Sequence, residues 1–209
     1  IHLAAQAGVR HSISNPRKYI DANIIGFFNI LEISRDNKIS HLIYASTSSV
    51  YGSNKNYPFV EKKSADHPIQ LYAATKRSNE IMAHSYSSMF KIPTTGLRFF
   101  TAYGPFGRPD MAYYAFSRAI KDKEIINLNN NGNMYRDMTF IDDIIDGILG
   151  AIDYVSSVQS KNEIFNLGND TPIKTSDLLN RIEQIIGKKA LINLHKTENE
   201  AFKTHADIT

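Results

Sequence analysis

A short apolar run, His41-Leu42-Ile43-Tyr44-Ala45, breaks abruptly into hydroxyls at Ser46, Thr47, Ser48 and Ser49. A buried parallel strand ends this way at the carboxyl edge of its sheet, where open α/β folds place their ligands. Downstream, Leu71, Ala73, Ala74, Lys76, Glu80, Ile81, Met82 and Ala83 are strong helix formers with apolar residues at helical spacing. On such a helix Tyr72 and Lys76 share a face. An ammonium beside a phenol favours the phenolate, moving an acid of unperturbed pKa about 10 towards a usable base. A hydroxyl in that run can share a proton with a substrate hydroxyl while Tyr72 removes it. The same spacing recurs at Tyr51 and Lys55, but Gly52-Ser53-Asn54 and Pro58 make that stretch a loop. A surface tyrosine above a solvated lysine has the same pattern, so spacing alone leaves both readings open.

The remaining elements follow from local signals. Ile1 to Ala5 reads as a strand whose small Ala4 and Ala5 either admit a flat cofactor or pack tightly at a strand end. Asn15-Pro16 starts a helix that runs to about Asp36, and its apolar residues cover more than one face. Thr94 to Phe100 is a further buried strand with Thr101 at its carboxyl end, and breakers frame Arg108 in a loop from Tyr103 to Met111. Tyr113 to Lys123 reads as a helix, and residues 129–133 as a hairpin turn. Ile141 to Tyr154 is an amphipathic helix, and Glu163 to Gly168 returns to the sheet. Thr175 is expected to cap a last helix ending at Gly187, and Ala190 to His195 reads as a final strand. Unaided, Arg136 is a surface arginine and Asn23 an ordinary helix asparagine.

Composition narrows the function. A chain of 209 residues, 42% hydrophobic, can bury a core as one domain or one and a half. A net charge of +3 without a long basic run marks no nucleic-acid surface. The chain has no cysteine, which points to a cytoplasmic enzyme, and no apolar stretch approaches the roughly 18 residues needed to span a membrane. Its 7 histidines are scattered, so no metal site is expected. Gly147 and Gly150 lie in a helical pattern and suggest close packing. No Gly-x-Gly-x-x-Gly phosphate loop occurs.

Thr47 together with Tyr72-x-x-x-Lys76 resembles the catalytic triad of the extended short-chain dehydrogenase/reductases, the NAD-dependent epimerases and dehydratases of nucleotide sugars. The segments His2 to Arg10, Leu97 to Thr101, Tyr103-Gly104-Pro105, Gly107 to Met111 and Arg136 to Asp143 resemble its signatures in order, most closely those of UDP-glucuronate 4-epimerases. The resemblance implies a partial Rossmann-type doubly wound parallel sheet with a smaller substrate-binding lobe. Residues 1–103 and 134–168 would form the NAD-binding part, and 104–133 with 169–209 the nucleotide-sugar lobe. It places the family's first strands and glycine loop upstream of Ile1 and a short segment beyond Thr209, so the chain is expected to be an inactive fragment on its own.

By the same resemblance Thr47, Tyr72 and Lys76 are catalytic. Ala4, Ala5, Asn23, Tyr72, Lys76 and Phe99 contact NAD, and Ser48, Ser49, Thr101, Arg108 and Arg136 contact the UDP-sugar. Dehydratases and decarboxylases of the family carry acidic residues where Ser48 and Ser49 stand, which favours a uronic acid here. The implied reaction is 4-epimerisation of UDP-glucuronate to UDP-galacturonate, a step towards polysaccharides, through a transient 4-keto sugar. The alternatives are a 4-epimerase of a neutral or N-acetylated UDP-hexose, or a non-catalytic protein that binds NAD or a nucleotide sugar. Helices 16–36 and 71–90 carry surplus apolar residues, as expected of the family's homodimer.

Overall fold

Three of the apolar runs lie side by side in one parallel sheet. The structure, a computed structural model, describes residues 1–63, 65–157, 162–197 and 201–209. The chain forms α1 (Val9–Ser14), α2 (Pro16–Tyr19), α3 (Gly26–Asp36), β1 (Leu42–Thr47), α4 (Leu71–Phe90), β2 (Thr94–Phe99) and β3 (Thr101–Tyr103). It continues through α5 (Ala112–Asp122), β4 (Ile125–Asn129), β5 (Tyr135–Phe140), α6 (Ile141–Ser157) and β6 (Asn162–Leu167). It closes with β7 (Pro172–Lys174), α7 (Thr175–Ile186) and β8 (Leu191–His195).

The main sheet has the order β1-β2-β6, with Ala45 opposite Leu97 and Leu97 opposite Phe165. Its strands are largely buried on both faces because helices cover both. On one side Phe27 and Leu31 of α3 and Ala83 of α4 pack on Leu42 and Tyr44. On the other, Ile144, Ile148 and Ala151 of α6 pack on Ile43 and Leu97. A Cβ on Gly147 would come within 2.7 Å of Leu167, so this glycine lets α6 approach β6, whereas Gly150 faces open space. The expected strand at residues 1–5 is reduced to one bridge, His2 with Tyr44. Ile1 and Leu3 stay exposed, so no burial extends the ladder.

A separate cluster joins Phe116, Ala119 and Ile120 of α5 to Ile126 and Leu128 of β4 and to Leu179 and Ile182 of α7. Residues 129–133 do turn, with Asn130, Asn131 and Gly132 at positive φ, yet they close no hairpin. β4 pairs in parallel with β8, and β5 lies between β3 and β7. Burial of Ile126 and Leu128 between α5 and α7 outweighs the local turn preference. Thr175 is the first residue of α7 rather than its cap, and its hydroxyl donates to the Met134 carbonyl at 3.0 Å. Asp137 of β5 is wholly buried and accepts from the Asn169 N–H at 2.7 Å and the Ala206 N–H at 2.9 Å. It thereby staples the C-terminal segment to the sheet side of the molecule.

A polar network lies beneath α4. Glu80 accepts from Arg98 Nε at 2.9 Å and Nη2 at 2.8 Å, from Ser46 Oγ at 2.5 Å and from Arg77 Nη1 at 2.8 Å. Burial pushes its carboxyl up, but these hydrogen bonds and the Arg98 charge outweigh it and hold Glu80 below the usual carboxylate range. The Arg98 guanidinium also stacks over the Tyr51 ring at 4.8 Å. Removing one partner of a pair only 2% exposed strands a buried charge. Arg98→Met is therefore expected to cost about 3–5 kcal/mol in urea denaturation, and adding Glu80→Met to recover part of that loss.

Candidate active site

The site lies where β1 ends. Thr47 caps the short 3-10 turn Ser48–Tyr51, accepting the Ser49 N–H at 3.2 Å. Its backbone is extended, so the hydroxyl stands at the carboxyl edge of the sheet. Helix α4 begins at Leu71, which sets Tyr72 in its first turn, where the helix dipole favours an anion. The Thr47 hydroxyl lies close enough to the Tyr72 phenol to favour its anion. Lys76 follows one turn deeper and is 2% exposed. The other Tyr-x-x-x-Lys pair is structural, because Tyr51 is buried and donates to Asn166 Oδ1 at 2.8 Å while Lys55 faces solvent.

Burial changes the electrostatics expected from spacing. It pushes the Tyr72 phenol up, and the Thr47 hydrogen bond and the Arg108 charge only partly pull it back. Burial weakens Lys76 as well. Desolvation brings the Lys76 ammonium down to about 8, with the Glu80 charge opposing the shift. Thr47 and Arg108 both favour the Tyr72 anion.

A cleft of about 1340 Å³ runs from Ala5, Ser48 and Ser49 at the sheet edge past Thr101 and Arg108 to Arg136 on β5. Thr47, Tyr72 and Lys76 lie behind this lining. Arg108 reaches inward, since its charge acts on both Tyr72 and Tyr19, but it also holds Asp110 through Nε at 2.9 Å and Nη2 at 2.7 Å. Ala4 is exposed beside the lining. Phe99 packs with Ile144 and Ile148 on the α6 face, away from Tyr72, which leaves only its backbone at the site.

Asn23 lies in a π-helical stretch, Ile20–Ile25, that joins α2 to α3. Such bulges often mark functional positions. Its side chain accepts from Gln6 N at 2.8 Å and donates to Gln6 O and to Thr75 Oγ1, each at 3.0 Å. Asn23 therefore pins the Gln6 loop to α4 rather than reaching into the cleft. Tyr19 was not singled out by the sequence. It is fully buried, its hydroxyl bonds the Ala7 and Gly8 carbonyls, and its ring stands edge-on to Tyr72 at 6.2 Å. Its place among the apolar residues of a long helix reads only as core. Among the described residues, no group of three or more His, Asp or Glu could hold a metal ion, and no helix is long and apolar enough to cross a membrane.

Residues 1–168 match the family described as the NAD dependent epimerase/dehydratase family. Protein CapI of Staphylococcus aureus is 50% identical over 207 residues, covering 92% of this chain and 62% of its own length. A probable UDP-glucuronate 4-epimerase of Rhizobium meliloti is 43% identical over 209 residues, covering 93% of this chain and 61% of its own length. The crystal structure of UDP-glucuronic acid 4-epimerase from Bacillus cereus, in complex with UDP-glucuronic acid and NAD, superposes with a TM-score of 0.93 at 34% identity. That match covers 100% of this chain and 66% of the other. The chain thus spans about three fifths of the length of the relatives it matches.

Lys76 carries a measurable signature. Its folded-state pKa of about 8 lies below the ordinary lysine value of 10.5, so between these limits the unfolded chain binds the extra proton. Stability then rises with pH across that window, and below it the buried ammonium is a standing cost. Lys76→Met is expected to be more stable than wild type at pH 7 by on the order of 3 kcal/mol, with the difference closing as pH rises towards 10.5. Paired urea titrations at pH 7, 8.5 and 10 check this, and a pH-independent difference would refute it.

Proposed function

We propose that this chain, which belongs to the NAD dependent epimerase/dehydratase family, carries the catalytic and sugar-binding residues of a UDP-glucuronate 4-epimerase. The observation that carries this reading is that Arg108, whose charge acts on Tyr72, lines the same cleft as Ser48 and Ser49. A carboxylate on a sugar ring would meet one arginine and two hydroxyls there, with no acidic side chain to repel it from the Ser48 and Ser49 positions.

The residues present fit the nicotinamide-ribose half of NAD. Ala4 and Ala5 offer a small-residue edge, and Lys76 and Tyr72 supply donors beside it. Bound there, NAD supplies a hydride acceptor at the sugar C4 that later returns the hydride. Tyr72 takes the C4 hydroxyl proton with Thr47 sharing it, Arg108, Ser48, Ser49 and Thr101 hold the sugar carboxylate, and Arg136 faces the diphosphate. Residues 1–103 with 134–168 form the cofactor part, and 104–133 with 169–209 the sugar lobe. The separate apolar cluster of α5, β4 and α7 supports that division. We also read the chain as a homodimer through helices 16–36 and 71–90, where Phe28, Ile33, Ile81 and Met89 remain exposed.

The Arg108–Asp110 pair supports a second reading, an epimerase of neutral or N-acetylated UDP-hexoses in which the arginine only tethers its loop. The two readings part on substrate choice, assayed in a protein completed to the length of its relatives. Arg108→Leu is expected to lower the kcat/KM preference for UDP-glucuronate over UDP-glucose by roughly 10²-fold or more. An unchanged ratio would leave the neutral-sugar reading. Tyr72→Phe is expected to lower kcat by roughly 10²–10⁴-fold while UDP-sugar binding by calorimetry is largely kept. Phe28→Asp with Ile81→Asp should convert the dimer to monomer in sedimentation velocity, and a monomeric wild type would remove the dimer.

A further inference from the structure

Arg108 sits in a loop with little freedom. The Gly107 N–H bonds back to the Gly104 carbonyl at 3.2 Å, and the Met111 N–H to the Arg108 carbonyl at 3.2 Å. A side chain at Gly107 would collide with the Tyr113 hydroxyl, and Gly104 has a φ of 140°. Within this turn Asp110 grips one edge of the arginine fork, Oδ1 on Nε and Oδ2 on Nη2. On the other edge Nη1 makes no hydrogen bond among the described residues, and Nη2 meets only the weak acceptor Met111 Sδ at 3.8 Å. A guanidinium presents five N–H donors in one plane, so a carboxylate on the Nε edge leaves the Nη1–Nη2 edge for a second one.

The two side chains are 46% and 63% exposed. A pair that exposed contributes little to stability, so its value lies in geometry. An ungripped arginine in this cleft is a long mobile cation, as ready to swing to a diphosphate as to a sugar carboxylate. Gly8 lines the opposite wall, where an added Cβ would stand 3.9 Å from Nη2, so the gripped fork has one side already fixed against the Gln6–Val9 loop.

We propose that Asp110 is a positioning residue for sugar selectivity: it holds Arg108 by the Nε edge so that the Nη1–Nη2 edge receives the carboxylate of a uronic acid beside Tyr72. The proposal rests on the uronic acid reading above and adds a residue to it. The opposite role, a carboxylate that competes with the sugar for Arg108, makes the opposite prediction.

The test is the ratio of dissociation constants for UDP-glucuronate and UDP-glucose, measured by calorimetry on the NAD-loaded protein. It is taken for wild type, Asp110→Asn, Asp110→Glu, Arg108→Leu and the double variant Arg108→Leu/Asp110→Asn. Asp110→Asn is expected to lower the preference about tenfold, the scale of one charge-assisted hydrogen bond, and Asp110→Glu to lower it less. Once Arg108 is leucine, Asp110→Asn should change the ratio no further, because in this role the aspartate reaches the sugar through the arginine. A preference unchanged or increased by Asp110→Asn, with Arg108→Leu still abolishing it, overturns this proposal alone. A preference that Arg108→Leu leaves intact overturns the proposal together with the uronic acid reading.

Discussion

The ion pair between Glu80 and Arg98 is the interaction on which the rest of this structure depends. Two charges buried beneath a helix persist only when each is fully bonded, which restricts them to one arrangement. Here Glu80 stands on α4 two turns beyond Tyr72, Arg98 on β2 and Ser46 on β1, next to Thr47. One bonded geometry therefore sets the depth and rotation of α4 against the sheet. That registration brings the Tyr72 phenol onto the Thr47 hydroxyl. Apolar packing of Ala83 against Leu42 and Tyr44 would tolerate small slips, whereas a bidentate carboxylate does not.

Much of this organisation was legible because it is local. A strand that ends in hydroxyls and a helix that starts with a tyrosine each declare their own orientation, so Thr47 and Tyr72 could be expected to meet. Asn15-Pro16 announced its helix in the same way. What stayed hidden depends on partners far apart in sequence. Spacing could place Lys76 beside Tyr72 but could not show that burial would weaken the lysine and raise the phenol. The turn at 129–133 was visible, yet the choice of β8 over β5 as partner for β4 was made by burial under α5 and α7. The hold of Asn23 on Gln6, between residues 17 apart, was likewise invisible to local pattern.

The site residues divide into a buried group and a group that lines the cleft. Thr47, Tyr72, Lys76 and Asn23 stand on elements locked by the buried network and by the π-helical stretch. Ser48, Ser49, Arg108 and Arg136 line the open cleft. On the function proposed above, proton transfer, which needs fixed distances, would fall to the buried group. Choice among sugars would fall to the cleft-lining residues of the turn after β1 and the loop before α5.

The staple at Asp137 has a consequence for how the last part of the chain can vary. Its carboxylate is bonded by the amides of Asn169 and Ala206, groups that nearly every residue type possesses. Asp207 and Phe59 likewise meet through main-chain atoms. The tail is recognised by its backbone, so its lettering can drift widely while its path is preserved. Size is the remaining filter at position 206, because Ala206 is fully enclosed and abuts Gly168.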